Sequence, residues 1–131
     1  MADADQRRIL AEKAATVVVD AAVKTHRQLG PGLLEIVYET CLVHELTRRG
    51  AKVLRQVQVP IKFDGQVLDA ALRLDLLVED CLVVEVKAVE RMIPLFEAQA
   101  LTYLRLTGHG LALILNFNVA LMKHGIKRII L

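Results

Sequence analysis

Apolar residues recur at helical spacing from about Asp5 to Leu29, where Leu10, Ala14, Val17, Val18, Ala21 and Ala22 follow one period. Gly30-Pro31-Gly32 breaks this run and turns the chain. A second periodic stretch, about Leu33 to Arg49, predicts another helix. Arg48 and Arg49 occupy its last turn, which suits the helix dipole, and Gly50 supplies a left-handed stop. The pattern then becomes strand-like. Lys52 to Phe63 is rich in Val and Ile, with Pro60 marking an edge or a bend. Asp64-Gly65 predicts a hairpin turn, followed by strands at about Leu68–Val78 and Cys81–Ala88. Pro94 sits in the first turn of a third helix that runs to Thr107 and stops at Gly108. Leu111–Phe117 is apolar on both faces, as in an internal strand covered by helices, and Ile126–Leu131 reads as a last short strand. The order helix, helix, strands, helix, strand predicts an α/β or α+β chain with a mixed sheet sandwiched by helices.

Composition narrows the class. The chain has 131 residues, 54% of them hydrophobic, a mean hydropathy of +0.40 and a formal net charge of +2. That is the reverse of a disordered composition, and the length suits one compact domain over 1–131. Seven Gly and two Cys exclude a collagen-like or disulfide scaffold. The longest stretch without a formal charge, Leu106 to Met122, is interrupted by Gly108, Gly110, Asn116 and Asn118, so no membrane span is expected. The first ten residues are polar and lack an apolar core, which predicts no signal peptide and a cytoplasmic protein with Cys41 and Cys81 as reduced core thiols. Leu, Val and Ile exceed what one small core requires, which points to a self-association surface and a homodimer.

Against this apolar background a buried charge is the informative observation. Asp75 interrupts Leu72-Arg73-Leu74-Asp75-Leu76-Leu77-Val78, and Glu85 and Lys87 interrupt Leu82-Val83-Val84-Glu85-Val86-Lys87-Ala88. Glu85 and Lys87 are two apart and project from one face of their strand. A structural ion pair or an exposed strand end would also account for them. Register decides whether the carboxylates meet. A two-residue turn at Glu79-Asp80 places Asp75 opposite Val84, whereas a three-residue loop, Glu79-Asp80-Cys81, places it opposite Glu85. An odd-length loop or a bulge is therefore the expectation. In the second helix Glu35, Tyr38 and Leu42 share a face. Glu35 reads either as a carboxylate bordering the packed stripe or as a first-turn Glu favoured by the dipole. Gln99 and Tyr103 lie one turn apart on the third helix, beside Phe96.

A helix Glu, a strand Asp, then Glu-x-Lys on the next strand resembles the PD-(D/E)XK nuclease superfamily, and Gln99-x-x-x-Tyr103 is similar to a motif of its RecB-like branches. Gly32-Leu33-Leu34-Glu35-Ile36-Val37-Tyr38 reproduces the motif of the GxxExxY family. His26 to Gly32, Arg73 to Asp80, Glu97 to Leu104, Asn116-Phe117-Asn118 and Gly125 to Arg128 resemble that family as well. Leu74 stands where the superfamily's name has Pro. The resemblance implies a restriction-endonuclease-like core, a mixed four-stranded sheet flanked by helices, in a single nuclease-like domain.

On that reading the chain is a Mg²⁺- (or Mn²⁺-) dependent enzyme acting on DNA phosphodiester bonds. Asp75 and Glu85 are direct metal ligands, the Val86 carbonyl is a further one, and Glu35 completes the site directly or through water. Lys87 positions the attacking water or stabilises developing charge, Gln99 holds Lys87, and Tyr103 lines the phosphate path. Residues 56–91 carry a net of −3 and residues 92–131 a net of +3, which suits a cation site beside a phosphate backbone and is equally what random surface scatter gives. Arg48, Arg49, Lys52 and Arg55 are available either to a DNA backbone or to solvent. His26, His44, His109 and His124 lack zinc spacing, and His26, close in sequence to the Glu35 helix, reads either as approaching the site or as a surface or capping residue. The rival reading is a non-catalytic nuclease-like protein acting as a partner-binding or oligomeric subunit.

Overall fold

A computed structural model describes residues 3–131, and the side chains of all of these but 69–71. Helix α1 (Ala4–Leu29) begins at a capping box in which the Asp3 side chain accepts from the Gln6 N–H at 2.7 Å and the Gln6 side chain accepts from the Asp3 N–H. Its buried stripe is mostly alanine (Ala11, Ala14, Ala15, Ala21, Ala22, with Val18), which lets the helix lie close on the sheet; Leu10 points to solvent. Helix α2 (Glu35–Arg48) packs beside it. The strands are β1 (Val53–Phe63), β2 (Gln66–Val78), β3 (Leu82–Lys87), β4 (Leu111–Asn116) and β5 (Ile126–Ile130), with α3 (Pro94–Thr107) between β3 and β4 and a short 3₁₀ turn at Met122–Gly125.

Among the described residues the sheet has five strands in the order β1-β2-β3-β4-β5, one more than the four the family resemblance implies. β1 pairs with β2 from Phe63–Gln66 to Val53–Val78, with a register shift between Val59 and Ile61, while β2 meets β3 only over Leu76–Val84, Leu77–Val83 and Val78–Leu82. The sheet is mixed as expected, since β3 and β4 run parallel and every other pair antiparallel. The parallel pair is the interior: all six residues of β4 are buried and β3 is buried except at Lys87. One core lies between this sheet and α1 and α2, and includes Leu76, Val78, Val84, Val86, Leu113 and Phe117. A smaller one lies under α3, around Leu74, Val83, Ala100, Leu104, Ala112 and Ile114.

The turns set the register. Asp64 (φ 52°) and Gly65 (φ 73°) form the two-residue turn between Phe63 and Gln66. The β2–β3 loop has three residues, Glu79, Asp80 and Cys81, because Val78 pairs with Leu82. Glu79 and Asp80 both take left-handed backbone conformations there, and the Cys81 N–H returns to the Val78 carbonyl.

The GxxExxY segment is an architectural brace. Tyr38 is fully buried, stacks on Phe117 with ring centres 4.6 Å apart, donates to the Gly30 carbonyl at 2.5 Å and accepts from the Leu33 N–H at 3.1 Å. It fixes the Gly30-Pro31-Gly32 turn to the end of β4. His26 is buried beside it, with Nε2 2.7 Å from the Val119 carbonyl, so it holds the loop after β4 and is not a surface residue. Cys41 and Cys81 are half-buried free thiols. Burial, with the charges of Glu79 and Asp80, raises the Cys81 pKa and disfavours a reactive thiolate.

Candidate active site

The three-residue β2–β3 loop brings the two strand carboxylates together. Continuing the register one step past Leu76–Val84 sets Asp75 against Glu85, on the face covered by α3. The ladder stops there, and the Asp75 carboxylate takes the place of the next backbone partner: its Oδ2 accepts the Val86 N–H at 2.8 Å. Glu85 is buried, and its Oε1 has no hydrogen-bond partner. Burial raises the Glu85 pKa to about 9, the negative charge and side-chain hydrogen bond of Asp75 add to the rise, and the Lys87 charge and a backbone hydrogen bond with Asp75 oppose it.

Lys87 follows on the same face. Its ammonium lies over the Phe96 ring, 4.5 Å from the centroid, and its carbonyl accepts the Phe117 N–H at 2.9 Å. Phe96 belongs to the first turn of α3, so the helix that covers this face also parks the lysine. Tyr103, one turn further along than Gln99, is half-buried. Its hydroxyl pKa is raised by burial first and then by the charges of Glu85 and Asp75, and its ring packs against the core under α3. Gln99 is half-buried, and among the described residues no hydrogen bond joins it to Lys87.

Glu35 is not brought into contact with the pair. It is exposed as the first residue of α2, the position the helix dipole favours for a carboxylate. It does lie at the same end of the sheet. Tyr38, one turn later, stacks on Phe117, whose N–H reaches the Lys87 carbonyl. Among the described residues no three His, Cys, Asp or Glu side chains converge on one point. Two apposed carboxylates, one with a buried oxygen lacking a partner, are nevertheless a hard-oxygen donor set of the kind a divalent cation takes.

Two residues of the neighbourhood escape a reading by charge. Asn116 pairs with Lys87 across β3 and β4 and is buried. Its side chain accepts from the Val89 and Asn118 N–H groups at 3.1 Å each and donates to the Val89 carbonyl at 3.0 Å, which fastens the segment leaving Lys87. Gly125 packs against the Asn116 backbone: a Cβ built there would lie 2.0 Å from the Asn116 carbonyl oxygen. The available signal was a polar residue closing an otherwise apolar strand.

The cations expected near a nucleic-acid backbone are engaged within the chain. Arg48 and Arg49 hold Glu45 together with Lys24, Lys52 holds Asp80, and Arg55 holds Glu39. No helix of the described residues is long and apolar enough to cross a membrane.

The mixed sheet lies between helices, with Asp75 set against Glu85 and Lys87 two residues further along β3. The family model of the PD-(D/E)XK nuclease superfamily matches residues 12–129, and the chain belongs to that superfamily. No curated protein and no solved structure matches the chain.

Proposed function

We propose that the protein is a nuclease of the GxxExxY branch that hydrolyses DNA phosphodiester bonds with Mg²⁺ (or Mn²⁺). Membership of a superfamily whose members generally use divalent metals supports nuclease chemistry. The observation that carries the finer reading is the unpartnered Oε1 of Glu85 beside Asp75, one strand step from Lys87. Burying such an oxygen without a partner is costly, and a bound cation removes the cost. Asp75 and Glu85 would hold the metal. The Val86 carbonyl would add a third oxygen, because strand geometry turns it to the same edge as the N–H that Asp75 accepts. Glu35, at the same end of the sheet, would complete the site through water.

The metal, when bound, supplies Lewis acidity and a more acidic water. The chain's own groups do the rest. Lys87 swings from the Phe96 ring to orient the attacking water and meet charge developing on the phosphate, steadied by Gln99. Tyr103 lines the phosphate path beside the two carboxylates. The test is cleavage of supercoiled, linear and single-stranded DNA with Mg²⁺ or Mn²⁺. Activity is expected to disappear in both Asp75→Ala and Lys87→Ala, and activity that survives in both defeats the assignment.

A second reading has an observation of its own. The basic residues named above are paired internally, while Leu34, Ile36, Leu95 and Leu121 are exposed. That favours a partner-binding or homodimeric protein on a nuclease-like frame. Calorimetric titration with Mg²⁺ separates the two: no binding in the millimolar range supports this second reading. Sedimentation of the purified chain tests the homodimer.

A further inference from the structure

The residues placed in the site so far lie on the α3 face of the sheet or at its end. A buried acid on the opposite face, Glu39 of α2, has no role among them. Its Oε2 accepts from Arg55 Nε and Nη2 at 3.2 and 2.7 Å, and its Oε1 accepts from Gln56 Nε2 at 2.9 Å. The second tether is unusual because of what it holds. Gln56 has φ +52°. The other non-glycine residues with positive φ among those described (Asp64, Glu79 and Asp80) lie in or directly at hairpin turns, whereas Gln56 lies inside a strand. This conformation crowds any Cβ and persists only where the surroundings impose it.

Gln56 faces Asp75. The β1–β2 ladder joins Arg55 to Leu76 and Val57 to Leu74, and passes over the pair between them. At this point both strands change face. Val53, Leu76 and Val78 pack toward α1 and α2, while Val57, Val59, Leu72 and Leu74 pack toward α3. An undisturbed two-residue period would keep each strand's set on one side. Just past the switch the β2–β3 ladder has ended, and the Val86 N–H is left to the Asp75 carboxylate.

We propose that Glu39 is a positioning residue for the site on the other side of the sheet: by holding Gln56 left-handed, it fixes the face switch that aims Asp75 at Val86 and Glu85. The consequence for metal binding rests on the nuclease reading, whereas the geometry can be tested without it. The test uses two measurements on the full chain, exchange protection of the Val86 amide without metal and calorimetric Mg²⁺ affinity. Gln56→Val keeps the Glu39–Arg55 pair but disfavours positive φ. Glu39→Ala removes both tethers. Each is expected to lower Val86 protection about tenfold and Mg²⁺ affinity about tenfold. Gln56→Gly drops the tether yet adopts positive φ freely, so its losses are expected to be smaller than those of Gln56→Val. Unchanged Val86 protection in Gln56→Val, or a larger loss in Gln56→Gly, overturns the proposal and leaves Glu39 a structural ion pair. A wild-type chain that binds no Mg²⁺ defeats the nuclease reading instead, and the Val86 amide still decides the role of Glu39.

Discussion

Glu39, Glu45 and Glu85 are buried to nearly the same depth, at 4%, 5% and 6% exposure. Their surroundings differ completely. Glu45 receives Lys24, Arg48 and Arg49 at 2.7–2.9 Å, and Glu39 receives Arg55 and Gln56. Glu85 instead faces a second carboxylate and keeps one oxygen without a partner. The first two join α2 to its neighbours, Glu45 to α1 and Glu39 to β1. The third weakens the protein that carries it, because folding must desolvate a carboxyl group or force a proton onto it. A chain that can satisfy two buried acids so fully leaves the third one outside any ion pair, and that contrast marks the candidate site more sharply than burial does.

The largest effect expected from this contrast is on chemistry. Glu85→Gln and Lys87→Ala should each reduce metal-dependent DNA cleavage by about 10²-fold or more, as read from initial rates on plasmid. An equal loss in Glu45→Gln at unchanged folding would erase the distinction between the three acids. Next comes a satisfied polar group near the site. Asn116→Ala strands the Val89 N–H, the Val89 carbonyl and the Asn118 N–H, and should cost about 3 kcal/mol in urea unfolding. Smaller and opposite in sign, Glu85→Gln should stabilise the metal-free protein at pH 7 by about 2 kcal/mol, because the unfolded chain no longer has to take up a proton on folding. A destabilised Glu85→Gln would mean that Glu85 belongs with the structural pair.

The pH dependence sharpens the comparison further, with the smallest effects. Glu85 is raised from 4.5 to about 9, so the metal-free folded state binds more protons than the unfolded one across that window. Its contribution is therefore complete below pH 4.5 and is lost as pH rises through about 9. Glu45 runs the other way. Hydrogen bonds from Arg48, Lys24 and Arg49 hold its pKa well below the usual range. Its contribution is present above the ordinary glutamate value and is lost as pH falls. Unfolding curves across pH should lose the alkaline slope in Glu85→Gln and the acid slope in Glu45→Gln.

Much of this was legible in the residues. Asp75, Glu85 and Lys87, set in the apolar stretches Leu72–Val78 and Leu82–Ala88, pointed to one shared face, and the requirement that Asp75 meet Glu85 selected the three-residue loop that is present. Glu35 reads either as bordering the packed stripe or as a first-turn acid, and it takes the second place, because helical spacing shows which residues share a face but not where the first turn meets solvent. Glu39 and Gln56 were overlooked because an acid three or four residues along from another is ordinary in an amphipathic helix, and a glutamine in a strand carries no sign of a positive φ. The fifth strand followed from counting local hydrophobic runs, whereas the expectation of four came from the family's core.

The loop of Glu79, Asp80 and Cys81 carries a further consequence. Surface turns are ordinarily where a chain absorbs insertions and deletions. Here the loss of one residue would shift β3 by one position against β2, and a shift of one exchanges its two faces. Glu85 and Lys87 would be driven under α1 and α2 while Val84 and Val86 turned toward α3. Drift in length is thus least tolerable at this exposed hairpin, although none of its three side chains belongs to the proposed chemistry.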